Sequence, residues 1–140
     1  MSIIVEYFTA PDDAAAADVL YGGPESVYPT LSCGNFLADI AMTEWEVLLL
    51  GRLGAAPPRV VAGHEPSGIA RVFAASAALQ TALAAAGREA LERLARHWLE
   101  EYADDVSGMA PDTARELLWE LAELAREAKA LRQALYCWMC

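Results

Sequence analysis

The chain closes on Ala134-Leu135-Tyr136-Cys137-Trp138-Met139, an apolar run rich in aromatic and sulfur side chains. Such a run reads as a β-strand, and an uncovered apolar strand at a chain end is a template for aggregation. It therefore has to be covered or paired. Ile3-Ile4-Val5-Glu6-Tyr7-Phe8, rich in β-branched and aromatic residues, reads as a strand at the other end, buried on at least one face. One sheet holding both ends, with the last strand beside the first, answers the requirement.

Between these ends the pattern is mostly helical. Pro11, Asp12 and Asp13 open a helix that runs to about Leu20, since proline suits a first turn and acids there complement the helix dipole. Tyr21-Gly22-Gly23-Pro24 stops it. Residues 26–33 are extended but carry Pro29, which confines them to an edge. Thr43 and Glu46 have the spacing of a capping box, predicting a short helix around Trp45 that stops at Gly51. Residues 59–62 and 69–74 have strand character, and Ser76 caps a helix to about Ala85, with a break at Gly87. The best-patterned segment is 88–103, where Leu91, Leu94, Ala95, Trp98, Leu99 and Tyr102 form one apolar stripe, with Glu89–Arg93 and Glu92–Arg96 as i,i+4 pairs on the wet side. Pro111 starts a last long helix to about Leu131, with Leu117, Leu121, Leu124, Ala128 and Leu131 inward. The sequence thus predicts a single α+β domain over residues 1–140, helix-dominated, with a small sheet that includes both terminal strands and packs against several helices.

At 140 residues and 56% hydrophobic content the chain can bury a core of its own, and no apolar run is long enough to span a bilayer. Met1 to Glu6 lacks the basic start of a signal peptide, so a cytoplasmic location is expected. The nine arginines, single lysine and many alanines suggest a GC-rich bacterial source. Net charge is −10, distributed unevenly: residues 1–51 hold eight acids and no lysine or arginine, whereas the rest carries twelve acids against ten bases. Such a balance disfavours nucleic acid and favours a basic protein partner, although negative charge also serves solubility.

The order of elements resembles the YfbM-like family of uncharacterised bacterial proteins. That family begins with a short strand, carries a tryptophan-centred helix followed by leucines and glycine, and ends in a long helix and a strand. The matching pieces are Trp45 to Gly51 and residues 111–139; the histidine of the family's corresponding helix is missing here. The resemblance implies an α+β fold and carries no activity or catalytic residues.

Chemistry-bearing constellations are few. Cys137-Trp138-Met139-Cys140 has the spacing of half a zinc site, which Cys33, His64 and His97 could complete. Residues three apart on a strand point to opposite faces, however, so Cys137 and Cys140 converge only if the chain turns. The same pair is far from the helix N-terminus that thioredoxin-like chemistry requires, and three reduced thiols are the simpler reading. His97 sits at the polar edge of its helix. The Gly63–Gly68 loop presents His64 and Glu65 together but lacks the residues of a phosphate cradle. Glu116, Glu120, Glu123 and Glu127 stripe one side of the last helix as a solvated face, and Trp119, one position off the Leu117/Leu121 stripe, is expected to be partly exposed and to mark a contact surface.

These features predict a non-enzymatic interaction module of the immunity or antitoxin type, without cofactor, that masks a basic protein through Asp12, Asp13, Asp18, Glu44, Glu46 and Trp119. The alternatives are a small-molecule binder or enzyme with a cleft at His64 and Glu65 near Glu44 and Glu46, and a metal domain built on Cys137 and Cys140. A homodimer is compatible with the aromatic surface.

Overall fold

The computed structural model describes residues 3–34, 36–51, 57–63, 68–106 and 108–140. Its centre is the last strand. β5 (Ala134–Met139) lies between β1 (Val5–Ala10) and β4 (Arg71–Ala74), with β2 (Thr30–Cys33) outside β1 and β3 (Arg59–Ala62) outside β4, all antiparallel. The register sets Tyr7 opposite Cys137 and Phe8 opposite Tyr136. The two ends of the chain are neighbours, which removes the exposed apolar edge that β5 would otherwise present.

Strand alternation sorts the side chains into two cores. Val5, Tyr7, Phe73, Leu135 and Cys137 face α2 (Ala38–Leu50), α3 (Ala77–Ala85), α4 (Arg88–Glu101) and α5 (Pro111–Ala130). Phe8, Ala10, Val72, Ala74, Tyr136 and Trp138 face α1 (Asp13–Ala17) and the turns that follow it. Covering on both sides explains why every residue of β1 is buried. On the second side Phe8 stacks between Tyr28 and Tyr136, at 5.9 and 5.7 Å between ring centroids, and the Trp138 indole donates to the Leu20 carbonyl at 3.0 Å.

Ser76 caps α3 by accepting from the Leu79 N–H at 3.0 Å, and Gly51 ends α2 in the left-handed region at φ +64°. Several boundaries differ from the sequence expectation: β1 covers Val5–Ala10 rather than 3–8, β4 starts at Arg71 rather than 69, and α4 ends at Glu101 rather than 103. The first helix ends at Ala17 and gives way to turns, and residues 26–29 are turn rather than strand. The Thr43–Glu46 capping box does not form: α2 begins five residues earlier at Ala38, so Thr43 is interior and its hydroxyl bonds back to the Asp39 carbonyl.

Candidate functional site

α2 is apolar around most of its circumference, a pattern that ordinarily belongs to a helix enclosed on all sides. One side satisfies that expectation: Trp45 stands edge-on to Trp98 at 5.1 Å and packs with Phe36 and Tyr7. The other side faces outward, with Leu37 and Ile40 each about two-fifths exposed. In this outward face lies a hollow of about 250 Å³ lined by Asp39, Ile40, Thr43, Glu44, Val47, Pro57 and Tyr102.

Glu44 forms part of its wall and is 5% exposed. It accepts a hydrogen bond from Trp98 Nε1 at 2.9 Å, and the Asp105 carboxyl, in the turn after α4, stands near it. Burial pushes its carboxyl up to about 7; the neighbouring Asp105 adds to the rise, and the bond from Trp98 opposes it. Burial also raises the Tyr102 phenol, with the neighbouring Glu44 charge as the next cause. One carboxylate oxygen of Asp39 is buried with no hydrogen-bond partner among the described residues. Apolar walls, the Glu44 carboxyl raised toward neutrality and the buried Asp39 oxygen beside it make a site that can hold a cation or exchange a proton near neutrality.

No family model, curated protein or solved structure matches this chain.

The acids of the first 51 residues do not form one surface. Asp12 caps α1 and, like Asp18, is exposed on the opposite side of the sheet from α2. Asp13 is already engaged: Arg59 Nη1 lies 2.5 Å from it and the Tyr136 hydroxyl donates to it at 2.8 Å. Glu44 and Glu46, expected on a docking face, are buried, because Glu44 takes the Trp98 indole and Glu46 accepts from the Ser76 hydroxyl at the start of α3. Trp119 is 37% exposed, with Arg88 and Arg126 both within 6 Å of its ring. His64 and Glu65 lie outside the described residues.

The metal alternative fails on strand parity. Cys137 is buried in the helix-side core, whereas Cys140 packs on the α1 side, since pairing with Ile4 carries the strand conformation to residue 140. Burial raises the Cys33 thiol to about 12 and holds the Cys137 thiol well above its ordinary range, so neither is poised as a thiolate. Asp39, Tyr102 and Asp105 escaped the sequence reading. The one sequence signal was a glutamate placed among apolar residues on every side of α2; the approach of the turn after α4 is a tertiary event.

Proposed function

We propose that the chain is a non-enzymatic protein-interaction module, of the immunity or antitoxin kind, whose recognition element is the outward face of α2. The partner inserts an arginine or lysine into the hollow. Its aliphatic stem runs along Ile40, Val47 and Pro57, and its charged head reaches Glu44 and Asp39. The observation that carries this reading is the hollow itself, where Glu44, 5% exposed, and the buried, unpartnered Asp39 carboxylate oxygen stand together among apolar walls, an arrangement that an incoming cation relieves. Leu37, Ile40 and Leu50, exposed along the same helix, supply the apolar rim of such an interface. Compared with a general acidic face, this places the basic partner at one site.

The test is titration with an alkylguanidinium salt, followed through the Trp98 indole N–H in ¹⁵N NMR spectra at about pH 6 and about pH 8. The cation displaces the Glu44 proton, so affinity is expected to rise by roughly tenfold across that interval and to vanish in Glu44→Gln. An indole signal that ignores the cation, or responds equally in the variant, would exclude the site. A second reading, acid–base chemistry on a small molecule in the same hollow, is favoured by the position of the Glu44 carboxyl near 7.

A further inference from the structure

On the far side of the helical layer, α4 and α5 leave an open groove formed by two contiguous hollows of about 190 and 370 Å³ that share Glu92 and Arg115. Leu91 and Ala95 lie along it, Leu99 is half-buried at one end, and the partly exposed Trp119 stands at the other. Its α4 wall carries Arg88, Glu92, Arg96 and Glu100, all exposed and four residues apart, with alternating sign. Within the chain the ion pairing of this row is weak: Arg88 lies over the Trp119 ring at 5.6 Å and its Nε reaches Glu92 Oε1 only at 4.0 Å, with both side chains more than half exposed.

The order plus, minus, plus, minus is its own complement when reversed. About a two-fold axis midway between Glu92 and Arg96, Arg88 meets Glu100 of a second copy and Glu92 meets Arg96, each pair occurring twice. A row at i, i+4, i+8, i+12 is also a helix ridge, inclined about 26° to its axis, so two such rows align when the helices cross at about 50°, the commonest packing class. We propose that a second copy of this chain covers the groove, giving a two-fold dimer in which α4 crosses α4 and Trp119 lies at the margin of the contact. The two-fold requirement that one patch complement itself is met by the charge order, which a foreign partner would have no need to match.

Sedimentation velocity at low salt is the direct measurement. The wild-type chain is expected to sediment as a dimer, twice its 15.1 kDa, and to dissociate as salt rises. Glu92→Arg and Arg96→Glu each place like charges across the axis twice and should weaken association by about tenfold or more. An equimolar mixture of these two variants should form a heterodimer, because each supplies the charge that the other lacks, and the double variant Glu92→Arg/Arg96→Glu should dimerise by itself. Since the mixture recovers association from two impaired chains, damage to folding cannot imitate the result. A monomeric wild-type chain, single variants that dimerise undiminished, or a mixture that remains monomeric would each overturn the proposal.

Discussion

Glu44 trades stability for a poised charge. In the unfolded chain its carboxyl ionises at its ordinary value near 4.5, whereas in the fold it holds its proton to about 7. Between those values the native state binds the extra proton, so this residue's contribution falls as pH rises from about 4.5 to 7 and does not recover above. Buried Glu6, raised by desolvation and by Glu25, acts in the same direction. Asp13 acts oppositely: Arg59 and Tyr136 hold it below the usual range, so its contribution is lost as pH falls through that lowered value. Glu44→Gln is isosteric with the protonated acid. Its amide oxygen can accept from Trp98, and its amide nitrogen can donate to Asp105. Urea unfolding should therefore show the variant matching the wild type near pH 5 and exceeding it near pH 8 by on the order of 1–2 kcal/mol. Equal stability at both pH values would mean that Glu44 ionises normally in the fold. The residue types at this site were visible in the sequence only as separate acids. What makes them a site is burial against Trp98 and the approach of Asp105, neither of which leaves a mark on local spacing.

Among the elements, the end of α5 shows how a cap is built from a poor residue. Arg132 has φ +55°, the Gln133 N–H returns to the Ala128 carbonyl at 2.7 Å, and the Arg132 N–H returns to Lys129 at 3.2 Å. Those two bonds define a Schellman turn with arginine where glycine is favoured. Arg132→Gly removes the Cβ strain at the cost of a freer unfolded chain, and should raise stability by about 0.5–1 kcal/mol in denaturant unfolding. A loss of stability would show that the arginine side chain contributes more than its backbone conformation costs. Local rules were sufficient elsewhere. The apolar stripe of α4, the serine cap of α3, Pro111 at the start of α5 and the composition of β1 and β5 each express one physical requirement in a few adjacent residues. They failed at α2, where Thr43 and Glu46 had the spacing of a cap but serve other partners. Trp45 and its neighbours draw the helix back to Ala38 by packing against Phe36, Tyr7 and Trp98, and tertiary burial outweighs a capping preference of about 1 kcal/mol.

In the whole molecule, β5 belongs to both cores at once. Leu135 and Cys137 complete the helix side, and Tyr136 and Trp138 complete the α1 side, so neither core is complete without the central strand. A strand shared in this way couples the layers: opening either one strips the cover from a strand that the other needs. Leu135→Ala on the helix side should cost about 2–4 kcal/mol, because the side chain is fully enclosed and its removal leaves a cavity. Substitution of Trp138 by alanine should cost about 3 kcal/mol from the other side, where the indole also bonds to Leu20. Both variants should lower one shared transition, with far-ultraviolet dichroism and tryptophan fluorescence giving the same midpoint in urea. If the α1 side were instead a loosely attached cover, Trp138→Ala would leave the dichroism midpoint near that of the wild type and move only the fluorescence. The joint placement of Leu135 and Trp138 on one central strand argues for the single transition.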